Sequence, residues 1–190
     1  MVAKGSRATI EELRAQLDAL PKNVKGEIID GELHVQPRPR FRHARTIGFF
    51  NRHLGGGFDY DDEGPGGWWI LAEPGIELPD APEVSPDLAG WRRARMQNPP
   101  PDDEPIRVVP DWVCEILSKS NARYDRTVKL PFYARAGVEW LWLIDSRDQT
   151  LDVYRLRDGA WSLLRSFGEE ATIRAAPFEA LEIPLARLWV

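Results

Sequence analysis

The sequence predicts an α/β domain, in which helices flank a mixed central β-sheet that is extended by additional β-hairpins. Two short apolar runs, residues 111–118 and 139–145, are typical of strands that are buried on both faces. A helical pattern over residues 121–136 lies between them. The turn signals Asp30-Gly31 and Asp158-Gly159 each separate two further strand-like runs, so strands outnumber helices.

Composition favours one globular domain without a membrane segment. The chain has 190 residues, 43% of them hydrophobic, so it can bury a core, and we expect residues 1–190 to form one domain with a flexible N-terminus over about residues 1–8. The single cysteine, Cys114, excludes an internal disulfide and suits a reducing, cytoplasmic location. No apolar run is as long as a membrane span. A net charge of −5 argues against a surface coated with nucleic acid but allows a local basic groove.

The first half of the chain has clear start and stop signals. Thr9 and Glu12 form a capping-box pattern before the first helix, and Pro21 follows its end. The predicted elements are a helix over residues 10–20, a hairpin of residues 24–29 and 32–35, a basic helix over residues 42–54 that ends at the glycines 55–57, a strand pair over residues 68–73 and 75–78 interrupted at Pro74, and a strand over residues 86–91.

The second half opens with a proline-rich connection over residues 92–110, for which a functional loop and a disordered loop are equally good interpretations. The elements predicted after it are the strand over residues 111–118, the helix over residues 121–136 ended by Gly137, the strand over residues 139–145, a hairpin of residues 151–156 and 161–167, a strand near residues 171–175, and an apolar segment over residues 181–190 with a short helix.

Glu115 is the residue that packing alone does not explain. It lies in the middle of an apolar strand, where an unpaired carboxylate costs roughly several kcal/mol. A cationic or aqueous partner must therefore meet it. A Lys or Arg side chain, a metal ion and water in a cleft remain open as partners.

Other polar groups are placed to join Glu115. Asp87 stands at the start of a predicted strand, and Asp125, Lys129 and Tyr133 follow one another at intervals of four residues on one helix face, which we expect at the rim of the packed layer. If Asp87 and Glu115 lie on neighbouring strands and point the same way, two carboxylates converge and demand a cation. A hard divalent ion such as Mg²⁺ or Mn²⁺ meets that demand, and so does a structural ion pair of Glu115 with Lys129 or an arginine.

The ordered run of motifs over residues 110–145, together with Pro86-Asp87 and the hairpin acids Glu27 and Glu32, resembles the bacterial Uma-type family. That family is a branch of the PD-(D/E)XK superfamily of restriction-endonuclease-like proteins. The resemblance extends from about Gly26 to the C-terminus. It implies a restriction-endonuclease-like core.

The resemblance also implies metal-dependent phosphodiester hydrolysis with Mg²⁺ or Mn²⁺. Asp87 and Glu115 match the acidic metal ligands, with Glu27 as an additional ligand and the Ile116 carbonyl as a further one. Leu117 stands where the superfamily usually has its lysine, and Lys129 matches the family's relocated lysine. Lys119 is a second candidate for that role or for substrate binding. Supporting roles fall to Asp125, which would orient Lys129 or cap the helix, and to Tyr133, for which packing is the simpler explanation.

A basic segment is the best candidate for binding the phosphates of DNA. Its candidate residues are Arg38, Arg40, Arg42, His43 and Arg45. An exposed basic helix face and a surface histidine are the simpler explanations of the same residues. Three histidines and one cysteine at irregular spacing make no zinc motif.

The leading interpretation is a Mg²⁺-dependent endonuclease that acts on DNA, with Asp87, Glu115 and Lys129 as catalytic residues. A homodimer would suit the cutting of both strands of a duplex. A catalytically silent protein of the same fold, acting as a binding or scaffold module, is the alternative. A transferase or hydrolase that acts on another phosphorylated ligand is a third interpretation.

Overall fold

A computed structural model describes residues 8–60, 64–169 and 171–189. The expected flexible N-terminus therefore lies almost entirely outside the described residues. The helices are α1 (Ile10–Asp18), α2 (Phe41–Leu54), α3 (Ala122–Tyr124) and α4 (Leu130–Ala136), with π-helical turns at Gly55–Asp59 and Asp125–Lys129 and a 3₁₀ turn at Leu185–Arg187. No helix in this part of the chain is long and apolar enough to cross a membrane.

Twelve strands are found in the described residues. They are β1 (Val24–Ile29), β2 (Glu32–Pro37), β3 (Trp68–Ala72), β4 (Ile76–Leu78), β5 (Ala81–Val84), β6 (Leu88–Arg92), β7 (Trp112–Leu117), β8 (Trp140–Asp145), β9 (Thr150–Arg157), β10 (Ala160–Gly168), β11 (Thr172–Ile173) and β12 (Ile183–Pro184).

The central sheet has six strands in the order β10-β9-β8-β7-β6-β3. Strands β7 and β8 run parallel and their neighbours run antiparallel, so the sheet is mixed. A second sheet has the order β2-β1-β5-β4 and contains the first hairpin, and β11 pairs with β12. The predicted α/β class, the mixed central sheet and the additional hairpins are confirmed.

Each face of the central sheet carries its own hydrophobic core. Trp112, Cys114 and Ile116 of β7 belong to the core that α2 and Phe178 cover. Val113, on the opposite face, belongs to the core that α4 covers. Because side chains alternate along a strand, Glu115 shares the face of Val113 and lies beneath the helical segment from α3 to α4.

Two strands that were predicted to pair belong to different sheets. Strand β3 pairs with β6, whereas β4 pairs with β5. The chain leaves the central sheet at Glu73, the residue after β3, which has a positive φ of 46°. Strand β5 was not predicted, because it is four residues long and contains Pro82, which is unfavourable in most strands.

The three glycines after α2 do not end the helix, contrary to the prediction. The chain continues into a π-helical turn over Gly55–Asp59. The glycines instead allow a close approach of backbone to backbone: Gly66 N–H donates to the Gly57 carbonyl at 3.1 Å, and a Cβ on Gly64 would lie 2.0 Å from that same oxygen. The Asp59 carboxylate then accepts a hydrogen bond from Ile70 N–H in β3, which fixes the turn to the sheet.

The helix predicted over residues 121–136 is present but widens in its middle. The π-helical turn Asp125–Lys129 lies between α3 and α4, and Gly137 ends α4 with a φ of +84°. Pro131 lies two residues after the turn, and a proline lacks the N–H that would bond to the carbonyl four residues earlier. The proline therefore accounts for the irregular turn, which lies where Asp125 and Lys129 enter the interior.

Two glycine substitutions should have opposite effects on stability. Gly90 lies in β6, where an added Cβ would be 3.0 Å from Ile70 Cδ1 and 3.2 Å from the Trp112 ring. We expect Gly90→Ala to lower the free energy of unfolding by about 1–3 kcal/mol through overpacking. Gly48 lies in α2 with nothing within 4 Å of an added Cβ. Gly48→Ala should raise the free energy of unfolding by up to about 1 kcal/mol, because alanine is the better helix former. Urea denaturation measures both, and equal effects of the two variants would contradict the packing of β6.

Candidate active site

Glu115 meets a lysine at the centre of the molecule. The Lys129 Nζ atom lies 2.7 Å from Glu115 Oε1 and 3.4 Å from Glu27 Oε1. Lys129 also donates to the Ser85 carbonyl at 3.3 Å, and Ser85 N–H donates to Glu27 Oε1 at 2.8 Å. The helical segment, the central sheet and the hairpin sheet thus each contribute one charged residue to a single buried cluster.

The polar helix face is buried, not placed at the rim of the layer as predicted. Asp125 and Tyr133 are each 1% exposed and Lys129 is 3% exposed. Tyr133 O–H donates to Glu115 Oε1 at 2.6 Å, so this tyrosine fixes the carboxylate as well as packing. Asp125 Oδ2 is buried without a hydrogen bond, and no described bond joins Asp125 to Lys129. The prediction failed because an isolated helix pattern does not show that a second sheet covers the same face.

Asp87 lies opposite Glu115 across two neighbouring strands. Leu88 pairs with Cys114 in the antiparallel register of β6 and β7, and one further step brings Asp87 to Glu115. Ile116 N–H donates to Asp87 Oδ2 at 2.7 Å, and His43 Nε2 lies 2.9 Å from Asp87 Oδ1. The two acids therefore converge on one site, as the sequence predicted, and α2 contributes His43 to it.

Burial and mutual repulsion change the acidity of this cluster. Burial raises the pKa of Glu115, Lys129 opposes the change, and the charges of Asp87 and Glu27 reinforce it, which gives a pKa of about 7. Burial and the charge of Glu115 raise the pKa of Asp125 to about 9 despite Lys129. Burial also opposes the ionisation of Asp87, but its bond to His43 and the charge of Lys129 outweigh burial and lower the pKa of Asp87. Near neutral pH, Asp87 is therefore ionised, Asp125 carries a proton, and Glu115 titrates.

A cleft of about 500 Å³ opens above these groups. Glu27, Asp87, Glu115, Asp125 and Lys129 line its inner part. The predicted substrate-binding residues that also line it are Arg38, Arg40, Arg42, His43 and Lys119. The cleft thus has an acidic interior beneath a mainly basic mouth.

Three predicted site residues lie outside the cleft lining: Arg45, Tyr133 and Ile116, whose carbonyl accepts a hydrogen bond from Asn121 Nδ2 at 3.5 Å. Arg45 is exposed, and its guanidinium donates to the Arg187 carbonyl at 3.4 Å. Tyr133 lies behind Glu115 and reaches the site only through its hydroxyl.

Sequence reasoning missed several polar residues of the cleft. Lys25 precedes Glu27 by two residues in β1, so the strand period of two could have placed both on one face. Ser118 and Asn121, which are hydrogen bonded to each other, and Arg147 follow the ends of the parallel strands β7 and β8. The carboxyl ends of parallel strands are the usual place for ligands in α/β sheets, and that rule was the available signal.

The donor atoms of the cluster fit a hard divalent cation. Ser85 N–H and Lys129 contact Oε1 of Glu27, Tyr133 and Lys129 contact Oε1 of Glu115, and Asp125 Oδ2 is buried without a hydrogen bond. Carboxylate and carbonyl oxygens are the ligands that Mg²⁺ prefers. In the described part of the chain, however, no three His, Cys, Asp or Glu side chains are close enough to form a metal site as they stand.

A mixed sheet with carboxylates at two adjacent strands and a lysine on the following helix is the arrangement that the resemblance to the restriction-endonuclease-like Uma-type family implies. The chain belongs to the Uma2 family, described as "putative restriction endonuclease", whose family model matches residues 10–186.

The fold is also that of a solved structure. The crystal structure of "a putative nuclease belonging to DUF820" from Anabaena variabilis ATCC 29413 is similar with a TM-score of 0.66 and 21% sequence identity. The similarity covers 93% of this chain and 96% of that chain. A comparison with curated proteins gave no match.

The raised pKa of Asp125 should make stability depend on pH. Between its usual pKa of 3.8 and its folded pKa of about 9, Asp125 holds a proton in the folded protein but loses it on unfolding. The free energy of unfolding contributed by this group therefore falls as the pH rises through that range. Asp125→Asn keeps the group neutral, so in EDTA we expect the variant to be more stable than wild type at pH 8, and the difference to shrink towards pH 5. Urea denaturation across this range measures it.

Asp103→Asn is the matched control, because Asp103 is exposed in the proline-rich loop. Its pH profile should follow that of wild type. Parallel profiles for wild type and Asp125→Asn would show that Asp125 is not held in its neutral form.

Proposed function

We propose that this protein is a metal-dependent endonuclease that hydrolyses phosphodiester bonds in DNA. One observation carries the proposal: four buried carboxylates, Glu27, Asp87, Glu115 and Asp125, share the inner part of a cleft with one buried lysine, Lys129. A structural ion pair needs one acid for one lysine. Surplus acids in a buried site raise one another's pKa and favour an additional cation. Membership of the Uma2 family supports the same reaction class.

Mg²⁺ or Mn²⁺ is the proposed cofactor. Asp87 and Glu115 are its proposed main ligands, with Glu27 and the Ile116 carbonyl as further oxygen donors. When bound, such an ion acidifies a water molecule, orients it, and neutralises the charge that develops on phosphorus.

The residues of the chain supply positioning and charge around that centre. The Lys129 ammonium, 2.7 Å from Glu115 Oε1, is available to hold the attacking water or to stabilise a charged phosphate oxygen. Tyr133 holds the Glu115 carboxylate in one orientation through its 2.6 Å hydrogen bond. Asp125, whose pKa is about 9, adds a neutral carboxyl group that can donate a proton in a hydrogen bond.

The mouth of the cleft supplies the affinity for phosphate. Arg38, Arg40 and Arg42 line one part of it and Lys119 another. Contacts of this kind hold the phosphate backbone without reading its sequence.

A specific observation favours the alternative of a catalytically silent binding or scaffold protein. Lys129 and Tyr133 both bond to Glu115 Oε1, and both oxygens of Asp87 accept hydrogen bonds. These contacts satisfy much of the cluster without a metal ion. Leu117 also stands where a catalytic lysine is usual in the superfamily. The two experiments below separate the alternative from the nuclease.

Plasmid nicking tests the catalytic residues. With Mg²⁺ or Mn²⁺, wild type should convert supercoiled plasmid to nicked or linear forms. Lys129→Ala should slow this at least about 100-fold, since it removes a preorganised charge, and Glu115→Gln should abolish it by removing a metal ligand. Asp103→Asn should cut like wild type. Activity that both Glu115→Gln and Lys129→Ala retain would contradict this site.

Thermal unfolding with Mn²⁺ tests the metal site without relying on activity. A bound ion at 100 times its Kd should stabilise wild type by about 2.7 kcal/mol. Because Glu115 has a pKa of about 7 and must lose its proton to bind a metal, the shift in Tm should be larger at pH 8 than at pH 6. Glu115→Gln should show no shift. An equal shift in that variant would place the ion elsewhere, and no shift in wild type would favour the silent protein.

A further inference from the structure

The cleft above the acids has the dimensions of a small-ligand pocket. Its volume of about 500 Å³ falls within the range of roughly 300–1,000 Å³ for sites that enclose small molecules. At its inner end Glu115 is only 1% exposed and Lys129 only 3%. A phosphodiester that reacts there must reach groups at the bottom of the pocket. Single-stranded nucleic acid is flexible and binds in positively charged grooves that follow its backbone.

The mouth of the cleft is built to take a flexible charged strand. Pro37 and Pro39 fix the backbone on both sides of Arg38, which is anchored by its bond to the Lys22 carbonyl at 2.7 Å. Lys119 and Arg147 also line the cleft, from the loops that follow β7 and β8. A strand that enters the pocket therefore passes between cations, which is the arrangement of electrostatic channels for single-stranded nucleic acid.

Phe41 lies immediately beside this mouth and faces solvent. It is 77% exposed, and its chain neighbours Arg40 and Arg42 both line the cleft. Arg45 follows one helical turn later on the same side of α2, outside the cleft. An exposed aromatic ring with a guanidinium group one turn away offers a base a surface for stacking and its phosphate a charge.

On the basis of the nuclease function proposed above, we propose that the DNA segment which reaches the acids is single-stranded, as a transiently unpaired segment of a supercoiled plasmid is, and that Phe41 stacks against one of its bases outside the cleft. The strand leaves the pocket between Arg40 and Arg42 and continues over Phe41 and Arg45. This path gives Arg45 a role in substrate binding although it does not line the cleft. It also gives the enzyme a preference for unpaired DNA that depends on stacking and not on the base sequence.

Fluorescence anisotropy with labelled oligonucleotides tests the inference in EDTA, where no strand is cut. The probes are an oligothymidine, an abasic strand of equal length, and a hairpin duplex. Wild type should bind the oligothymidine about tenfold more tightly than the abasic strand, because only the former has bases to stack. It should bind the duplex more weakly than the oligothymidine. Phe41→Ala should bind the oligothymidine and the abasic strand equally, and Phe41→Trp should keep the wild-type preference.

Tyr60→Ala is the matched control. Tyr60 is 67% exposed and lies beyond the opposite end of α2, so its loss should leave the preference for bases unchanged. Equal binding of oligothymidine and abasic strand by wild type would overturn the inference, as would tighter binding of the duplex or no binding of any strand. A protein that nicks plasmid but shows no preference for bases keeps its proposed nuclease function and loses only this inference. A preference for bases that depends on Phe41, in a protein that cuts no DNA, would support the stacking inference and contradict the proposed nuclease function.

Discussion

The buried contact between Glu115 and Lys129 is the interaction on which the rest of the site depends. A carboxylate at the centre of a sheet is costly to bury, and the loss of one partner from a buried pair typically costs about 3–5 kcal/mol. The 2.7 Å contact therefore links the helical segment to β7. Tyr133 donates a hydrogen bond to Glu115, and Glu27 contacts Lys129. These links fix the positions of Glu115 and Glu27, whereas Asp87 is held by Ile116 N–H and His43.

Stability alone does not account for so many acids around one lysine. A well-packed apolar group in the place of Asp125 would avoid both its desolvation and its repulsion from Glu115, which together raise its pKa to about 9. The fold retains the acid nonetheless, with Oδ2 buried and unbonded. Buried polar groups that cost stability and lie in a cleft are characteristic of functional sites. The cluster is therefore better explained by ligand binding than by folding.

Sequence patterns correctly predicted the features that depend on residues close together in the chain. The apolar run around Glu115 predicted its burial, and Lys129 was among its predicted partners. The four-residue spacing of Lys129 and Tyr133 predicted their common face, but the hydrogen bond from Tyr133 to Glu115 was not predicted. The same patterns did not predict which strands pair when the strands are far apart in the chain. Nothing in the short β5 segment shows that it pairs with β1 and with β4, so that β4 belongs to the hairpin sheet while β3 belongs to the central sheet. The position of the hairpin sheet over Lys129 depends on this pairing. The depth of the site was missed for this reason, although its buried acids and Lys129 were predicted.

The acidic net charge of the chain says little about what the cleft attracts. Four of the acids that contribute to the total of −5 line the cleft but are almost completely buried, and at least one of them, Asp125, carries a proton near neutral pH. The exposed cations of the lining, by contrast, are Arg38, Arg40, Arg42, Lys119 and Arg147. The field that an approaching ligand meets is set by the groups nearest to it, because salt screens charges more than roughly 8–10 Å away. An acidic protein can therefore present a basic entrance to a polyanion, while the acids behind that entrance remain available for a cation.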